Sequence, residues 1–409
     1  MNMGFKKILI ANRGEIAIRI MRASSDLGIS TVAIFSEDDA ESLHRTIADE
    51  SFQLEGQGVF AYLDIEGIIK IAKENGVDAI HPGYGFLAEN ADFTKRCNEE
   101  GIAFIGPNIE HIELFGDKGR ARKAATDAGV PVLKGIDRAV TVEEAKDFFK
   151  SLGESSGMMI KAVAGGGGRG SRAVIKESEL ERAFKRCTSE AKNAFGNGDL
   201  YVEQFIGKAR HIEIQILGDK KGNIIDLGER ECSVQRRYQK IVEIAPAPNL
   251  SDEMRSKIIN AARELAASVN YSNLGTFEFL VDVNAKKDEP GFAFIETNAR
   301  LQVEHTVTEE VTGVDIVQTQ IQLAQGSTLD ELGLDYSGVG TPRGYAIQNR
   351  INMETLSPDG IVRPSGGTLR SYEAPSGPGV RTDGFGYAGY TCLLYTSDAA
   401  DEGLGVDLG

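Results

Sequence analysis

Acidic, amide and guanidinium side chains are concentrated at the end of one apolar strand. The stretch FIETNARLQVEH, residues 294–305, carries Glu296, Asn298, Arg300 and Glu304. A carboxylate inside an apolar strand is costly unless it is paired or bound to a metal ion. These residue types at this spacing therefore predict a site for a charged ligand.

A further acidic residue lies in a neighbouring strand-like run. Residues 275–281 read GTFEFLV, and the polar insert 284–290 predicts a hairpin connection to the strand that contains Glu296. If this hairpin is in register, Glu278 and Glu296 converge, with Asn298 one pleat further along. In that case, the hairpin positions the side chains that form the predicted site.

Side-chain alternation within the second strand places Glu296 on the same face as Phe294 and Asn298. Carboxylate and amide oxygens suit a hard cation such as Mg²⁺, which also binds phosphate. We therefore predict a metal site formed by Glu278, Glu296 and Asn298. The alternative interpretation is a set of ordinary ion pairs at the strand ends.

A glycine run follows a strand that includes a lysine. The apolar residues 158–162 contain Lys161, and the segment AGGGGRG occupies residues 164–170. Consecutive glycines let several backbone N–H groups approach phosphate oxygens that bulkier residues would block. A flexible linker is the alternative, and the segment is not a P-loop, because no Gly-Lys-Ser or Gly-Lys-Thr follows. We predict a phosphate lid formed by Gly165, Gly166, Gly167 and Gly168.

The first hundred residues alternate between strand and helix patterns. Apolar runs at 7–11, 31–35, 77–80 and 103–105 are separated by helical spacing, which predicts a parallel, doubly wound sheet. The first turn, NRGE, does not match the dinucleotide fingerprint GxGxxG, so a nicotinamide cofactor is disfavoured. The loop HPGYGF with Tyr84 follows a strand at its carboxyl end, where such sheets bind ligands. A rigid Pro-Gly turn is the alternative for that loop.

A later strand-like run carries a polar face. Residues 211–216 alternate strictly, so His211, Glu213 and Gln215 share one side of the strand. A satisfied polar face of an antiparallel strand is the alternative to a site role for His211.

Composition and charge exclude several function classes. The 409 residues suffice for two or three domains, and the net charge of −16 argues against a nucleic-acid surface. Cysteines at positions 97, 187, 232 and 392 lack metal-ligand spacing and are typical of reduced thiols in a cytoplasmic protein. No stretch approaches the ~18 apolar residues of a membrane span, and the start lacks a signal-peptide core.

One basic cluster predicts a site for a phosphate-sized anion: Arg230, Arg236, Arg237 and Lys240.

Taken in order, these motifs resemble those of the biotin carboxylase component of biotin-dependent carboxylases, which are ATP-grasp enzymes. The matching stretches run from residue 8 to about residue 390, and as an ordered set they are highly specific: ANRGEIAIRI, HPGYGFLAEN, GDKGRA, IKAVAGGGGRG, RHIEIQILGD, ERECSVQRRYQKIVEIAPAP, GTFEFL, FIETNARLQVEHTVTEEVTGVD and RINME. The resemblance implies an ATP-dependent reaction of bicarbonate with biotin on a carrier protein or domain. It also implies a carboxyltransferase partner and a homodimer.

The resemblance assigns nucleotide and metal contacts to particular residues. Lys118 and Lys161 contact phosphate oxygens, His211 contacts the nucleotide, and the glycine lid closes over the phosphates. The strap beside adenine consists of Glu203, Gln204 and Phe205. Gln235 is assigned to the cofactor-binding residues, and Glu278, Glu296 and Asn298 hold Mg²⁺ or Mn²⁺.

The resemblance also implies the catalytic groups. Bicarbonate lies in the fork of Arg300, and Glu304 deprotonates it for attack on the γ-phosphorus of ATP, which gives carboxyphosphate. Arg350 stabilises the biotin enolate. The residues assigned to the biotin and bicarbonate pocket and its backbone support are Tyr84, Lys240, Gln302 and Val303.

The expected architecture is mixed α/β and α+β. We predict a Rossmann-like domain at 1–115, an ATP-grasp domain at 116–335 with a lid subdomain at about 132–203, and a partial β-rich carboxylase domain at 336–391.

The sequence departs from the family pattern at three places. Residues 392–409 match nothing in the family, which suggests a truncated or artefactual terminus. Tyr238 stands where the family usually has histidine, and the segment after Arg350 is shorter than in many members. Two alternatives stay open: another ATP-grasp ligase, similar to carbamoyl-phosphate synthesis, and a nucleotide-binding fragment without turnover.

Overall fold

The structure is a computed structural model, and it describes residues 4–136, 138–152, 157–163, 170–236, 239–285, 289–334, 341–358 and 362–392. The glycines of the predicted lid, residues 165–168, and Tyr238 lie outside the described residues. Within the described part of the chain, no helix combines the length and apolar character that crossing a membrane requires.

The strands follow one another as β1 (Lys7–Ile10), β2 (Ser30–Phe35), β3 (Glu50–Gln53), β4 (Ala79–His81), β5 (Ala103–Phe104), β6 (Gly135–Ile136), β7 (Gly157–Ala162), β8 (Arg172–Val174), β9 (Leu200–Phe205), β10 (Ala209–Gly218), β11 (Ile224–Arg236), β12 (Gln239–Ala245), β13 (Asn273–Asp282), β14 (Phe292–Asn298), β15 (Ala346–Asn349), β16 (Glu354–Leu356), β17 (Val362–Pro364), β18 (Gly367–Thr368) and β19 (Thr391–Cys392).

The α-helices are α1 (Gly14–Asp26), α2 (Leu43–Ile47), α3 (Gly58–Ala61), α4 (Ile65–Glu74), α5 (Ala91–Glu99), α6 (Ile109–Gly116), α7 (Lys118–Asp127), α8 (Val142–Ser151), α9 (Glu177–Phe195), α10 (Asp252–Ser268), α11 (His305–Thr312) and α12 (Ile316–Ala324).

The amino-terminal region forms a parallel sheet in the order β3-β2-β1-β4-β5. Its central strands are apolar on both faces because helices cover both sides: Ile8 and Ile10 join one hydrophobic cluster, while Leu9 joins another. The predicted doubly wound sheet is therefore confirmed. The loop with Tyr84 follows β4 at the carboxyl end of that strand.

Helix starts agree with their capping sequences. Asp117 accepts a hydrogen bond from the backbone N–H of Arg120 and so starts α7, whose first residue is Lys118. Thr141 and Glu144 form the reciprocal capping box that the sequence predicts at the start of α8. These caps determine where the helices beside the site begin.

An antiparallel sheet in the order β6-β9-β7-β8 forms the predicted lid region. Its apolar face packs against α8 and α9 through residues such as Met158, Ile160 and Leu180. Lys161 lies on β7 opposite Tyr201 of β9. The sheet thus places Lys161 and Glu203 close together.

The largest sheet runs β14-β13-β10-β11-β12-β15 and is antiparallel throughout. One face carries Ile212, Ile214, Phe277, Phe279 and other apolar side chains that pack against α7 and α10. Strict alternation sends their neighbours to the opposite face. That opposite face is polar, and it holds the candidate site.

The register of β13 with β14 confirms one prediction and corrects another. Glu278 lies directly opposite Glu296, as expected for a hairpin in register. However, the ladder then pairs Phe279 with Phe294, so one residue, Ile295, is inserted as a β-bulge. Phe294 therefore faces the hydrophobic core, and Glu296 does not share its face, contrary to the simple alternation.

Candidate active site

Charged residues from adjacent strands meet on the polar face of the large sheet. Glu213 on β10 lies opposite Glu278 on β13 and opposite Arg230 on β11. Glu278 in turn lies opposite Glu296 on β14. Opposed residues of neighbouring strands project to the same side of a sheet, so the register brings these four side chains to one surface.

A second β-bulge adds two residues from β12 to this surface. The ladder pairs Val234 with Val242 and then Gln235 with Lys240, which leaves Ile241 unpaired. In a regular strand Lys240 and Glu243, three residues apart, would point to opposite faces. The extra residue at the bulge reverses the face of one of these two side chains, so both lie on the polar face of the sheet.

Lys240 is the centre of the charge network. Its ammonium group contacts the carboxylate of Glu213 and lies 3.1 Å from Oε1 of Glu278 and 2.8 Å from Oε1 of Glu304. Burial alone would lower the pKa of Lys240, but the negative charges of Glu213, Glu278 and Glu304 outweigh it and raise that pKa well above its usual value. Lys240 is therefore a permanent cation among carboxylates.

His211 pairs with the same carboxylates. Its Nε2 lies 2.6 Å from Oε2 of Glu278 and 3.3 Å from Oε1 of Glu213, and the amide of Gln235 lies 3.1 Å from Nδ1. Burial would lower the pKa of His211, but the charge of Glu278 outweighs it, and the pKa rises to about 9. For Glu278, burial works in the opposite direction, yet Lys240 and His211 bring its pKa down to about 2.

Arg230 lies beneath this layer, with no exposed surface. Its guanidinium contacts Glu213 at 3.3 Å and donates to the side-chain oxygen of Gln302 at 3.1 Å. Gln302 in turn donates from Nε2 to Oε1 of Glu278 at 2.8 Å. The other acceptors of the Arg230 guanidinium are Gln215, Thr276 and Thr308.

The predicted basic cluster is therefore divided. Arg230 is buried and paired, Arg236 forms an exposed bidentate pair with Glu354 at 2.8 and 2.5 Å, and Lys240 lies among carboxylates. Arg237 lies outside the described residues. The prediction of one anion site formed by this cluster is wrong, because the strand alternation and the bulge send its members to different surroundings.

Glu304 and Arg350 form the outer part of the site. Glu304 is fully buried at the start of α11, and its Oε2 lies 3.1 Å from Nη2 of Arg350. Arg350 follows edge strand β15 and donates from Nε to Oε1 of Glu243 at 2.6 Å. The carboxylate of Glu304 thus lies between two cations, Lys240 and Arg350.

Arg300 connects the large sheet to the amino-terminal region. It donates from Nε to Oε2 of Glu89 at 2.8 Å and from Nη2 to Oδ1 of Asn298 at 3.0 Å. Glu89 also accepts from the backbone N–H of Ala299 at 3.2 Å. Asn298 donates from Nδ2 to Oε1 of Glu278 at 2.6 Å, which joins Arg300 to the carboxylate network.

The predicted nucleotide residues lie on the lid sheet and α7. Lys161 contacts Glu203, and although burial opposes it, the charge of Glu203 raises the pKa of Lys161 above its usual value. Lys118 is exposed at the start of α7, and Gln204 and Phe205 are half-buried at the end of β9. The nucleotide contact assigned to these residues stays a prediction.

Tyr84 and Val303 contribute differently from the charged residues. Tyr84 is 4% exposed and packs in the hydrophobic cluster below the amino-terminal sheet, and its carbonyl accepts a hydrogen bond from Asn12 at 2.7 Å. Val303 packs against the same cluster. A role for the Tyr84 side chain in a ligand pocket stays a prediction.

Two family models cover most of the chain. Residues 4–112 match "Biotin carboxylase, N-terminal domain", and residues 117–332 match "Carbamoyl-phosphate synthase L chain, ATP binding domain". The biotin carboxylase domain of the Hydrogenobacter thermophilus 2-oxoglutarate carboxylase is 45% identical, with a TM-score of 0.89 over 97% of this chain and 85% of that one. This chain belongs to the biotin carboxylase family.

Other relatives agree with this assignment. The structure of biotin carboxylase from Campylobacter jejuni is 41% identical, with a TM-score of 0.88 over 97% of this chain and 86% of that one. Pyruvate carboxylase of Bacillus subtilis is 52% identical over 390 residues, which are 92% of this chain and 32% of that protein. The chain thus spans about a third of the pyruvate carboxylases that it matches.

Carboxylate donors for the predicted metal site are present in this chain. Glu278 and Glu296 face each other across the hairpin, and like charges directly opposite each other are destabilising unless a cation lies near them. Asn298 donates from its amide nitrogen to Glu278, while its amide oxygen accepts from Arg300 and would have to turn to reach a metal ion. Ligand atoms of His211, Glu213 and Glu278 also lie within 4.8 Å of one another. The carboxylate oxygens in this group are donors of the kind that suits Mg²⁺.

Sequence reasoning missed several residues of the network. Arg230 was assigned to an anion site, and Glu89 and Glu243 received no role. A signal was present in ERECSVQRRYQKIVEIA, residues 229–245, where charged residues recur in a segment that also forms β11 and β12. When such a segment lies in the interior of a sheet, its buried charges must be paired with one another.

Proposed function

We propose that this chain catalyses the ATP-dependent carboxylation of biotin by bicarbonate. The observation that carries the proposal is the buried carboxylate of Glu304, which lies 2.8 Å from Lys240 and 3.1 Å from Arg350. A carboxylate base that lies between two cations can stand next to an anionic substrate, because the cations compensate the negative charges of both groups. ATP, bicarbonate and biotin are the substrates, and ADP, phosphate and carboxybiotin are the products.

Bicarbonate binds at Arg300 in this proposal. A guanidinium presents parallel N–H donors that match a planar carboxylate-like anion. Asn298 and Glu89 hold Arg300 in place through contacts of 3.0 and 2.8 Å. The backbone at Gln302 and Val303 supports the anion, and Gln302 is itself oriented by Arg230.

Glu304 removes the proton of bicarbonate as one bicarbonate oxygen bonds to the γ-phosphorus of ATP and the bond to the leaving ADP breaks. The product, carboxyphosphate, separates into CO₂ and phosphate. Phosphate then takes the proton from the ureido nitrogen of biotin, and that nitrogen bonds to CO₂. Arg350 stabilises the negative charge that develops on the ureido oxygen.

The nucleotide lies between the lid sheet and the large sheet. Lys118 and Lys161 bind phosphate oxygens, His211 and Gln235 contact the nucleotide, and residues 203–205 line the adenine. The glycines at 165–168 close over the phosphates and exclude water, which matters because carboxyphosphate hydrolyses readily. Mg²⁺ held by Glu278, Glu296 and Asn298 neutralises phosphate charge when it is bound.

We further propose that the chain works with a biotin carrier, a carboxyltransferase and a second copy of itself. One matching structure is named as a single-chain, multi-domain long-chain acyl-CoA carboxylase, and another as a biotin carboxylase domain dimer. We place the protein in the cytoplasm, because the four cysteines are unpaired and buried, which suits a reducing compartment. The domain boundaries near 115, 335 and 391 are part of this proposal.

The test is ATP hydrolysis by the purified chain with Mg²⁺, measured with and without bicarbonate and with and without free biotin. Hydrolysis should require bicarbonate and rise when biotin is added. Ammonium or an amino acid in place of biotin tests the alternative of another ATP-grasp ligase. Nucleotide binding without any bicarbonate dependence would contradict the proposal and favour a binding role.

A further inference from the structure

Glu243 is a buried carboxylate to which neither the family resemblance nor the proposed chemistry assigns a role. It has no exposed surface and reaches the polar face through the bulge at Ile241. Its Oε1 accepts from Nε of Arg350 at 2.6 Å, and within the described residues Oε2 has no hydrogen-bond partner. A buried charge with so few partners is costly, so its presence needs a reason.

Arg350 lies at the edge of the large sheet. It directly follows edge strand β15, anchored to β12 by its backbone N–H bonding the carbonyl of Ile241 at 3.0 Å. The nearby side chains of Ile347 and Ile351 are 63% and 92% exposed. The Arg350 side chain itself is only 9% exposed, and the carboxylates of Glu243 and Glu304 contact its guanidinium.

The two carboxylates contact different atoms of the guanidinium. Glu243 accepts from Nε, which carries a single hydrogen, whereas Glu304 contacts Nη2. In the proposed reaction Glu304 must turn to bicarbonate, and an Arg350 Nη group must turn to the ureido oxygen of biotin. The hydrogen bond from Nε of Arg350 to Glu243 can persist while the partner of the Nη group changes.

We propose that Glu243 is a positioning residue that holds Arg350 through Nε while the terminal nitrogens exchange Glu304 for the ureido oxygen of biotin. This inference rests on the proposed function and deepens it. Without Glu243, the guanidinium would lose its contact at Nε and keep its contact with Glu304, the group that must release it. Biotin would then meet a less ordered oxyanion donor.

The charge balance of Glu243 agrees with this role. Burial raises its pKa, Arg350 opposes that effect, and the negative charge of Glu304 adds to it, so the pKa rises to about 7. Arg350 is thus the main group that favours the ionised form of Glu243. The two side chains depend on each other, as expected of a fixed pair.

The test compares Glu243→Gln with a matched control, Glu229→Gln. Glu229 is also buried on the large sheet and accepts from Nε of Arg255 at 2.7 Å, but it lies outside the site. For each protein, ADP formation is measured with bicarbonate alone and with bicarbonate plus saturating biotin. We expect Glu243→Gln to lower the ratio of the two rates about tenfold, the order of one lost charge-assisted hydrogen bond. The ratio for Glu229→Gln should equal that of the wild type.

Two further measurements exclude a purely structural effect. Glu243→Asp retains the charge and should restore part of the biotin stimulation. In an Arg350→Gln background, Glu243→Gln should cause no additional loss, because both changes act on one contact. Equal loss of both activities, an unchanged ratio, or additive losses in the double variant would overturn the inference. A wild-type chain without bicarbonate-dependent hydrolysis would instead overturn the proposed function, and this inference with it.

Discussion

Replacement of His211 by glutamine tests the charge network through its pH dependence. The structure raises the pKa of His211 from 6.5 to about 9, because the charge of Glu278 outweighs burial. A histidine whose pKa is higher in the folded state contributes stability that is fully present below its unfolded pKa and is lost as pH rises through the folded pKa. A shift of this size corresponds to about 3 kcal/mol of unfolding free energy.

The assay is urea unfolding of wild type and His211→Gln at several pH values between about 6.5 and 9.5, the window over which the linkage acts. The stability advantage of the wild type should be largest at the low end and shrink by about 3 kcal/mol at the high end. His111→Gln is the control, since burial lowers the pKa of His111, and its pH curve should parallel the wild type in this window. Parallel curves for His211→Gln as well would refute the proposed pairing of His211 with Glu278.

Other changes test the same network. Lys240→Met should lower the unfolding free energy by about 3–5 kcal/mol, because it leaves the buried carboxylates of Glu213, Glu278 and Glu304 without their shared cation. Lys146→Met, which removes surface ion pairs with Glu143 and Glu181, should cost less than about 1 kcal/mol in the same unfolding experiment, and equal losses would contradict the argument. Glu278→Gln should raise the Mg²⁺ concentration for half-maximal ATP hydrolysis at least about tenfold, as expected when one metal ligand is lost; an unchanged Mg²⁺ dependence would remove Glu278 from the metal site.

Much of the fold could be predicted from local patterns. The helical and strand periods of the first hundred residues determine a parallel sheet, because only helices on both faces can bury strands such as Lys7–Ile10. The capping box at Thr141 is a purely local signal. The opposition of Glu278 and Glu296 was predicted on the condition that the hairpin is in register, and the ladder between β13 and β14 has that register.

The faces of several site residues could not be predicted, because β-bulges depend on the partner strand. Ile295 changes the face of Glu296 relative to Phe294, and Ile241 brings Lys240 and Glu243 together. Nothing in a single strand reveals such an insertion, since it appears only when the ladder with the neighbour is drawn.

The buried charges were missed for a different physical reason. Arg230 has the same residue type as half-buried Arg236, and charged residues lie next to both in the sequence. Only the assembled sheet shows that Arg230 contacts Glu213 and Gln302 without any exposed surface, whereas Arg236 pairs at the surface. Whether a charged side chain belongs to a buried network or to a solvated surface depends on whether its neighbours in space exclude water.

The central claim is that bicarbonate attacks ATP with Glu304 as the base, and isotope transfer tests it most directly. The chain is incubated briefly with ATP, Mg²⁺, biotin and bicarbonate labelled with ¹⁸O, and the inorganic phosphate is analysed by mass spectrometry. The oxygen that bonds to phosphorus remains there when carboxyphosphate releases CO₂, so the phosphate formed should carry one labelled oxygen. Glu304→Gln should form little ADP and little labelled phosphate. ADP formed together with unlabelled phosphate would show that water, not bicarbonate, attacks ATP, and would contradict the account.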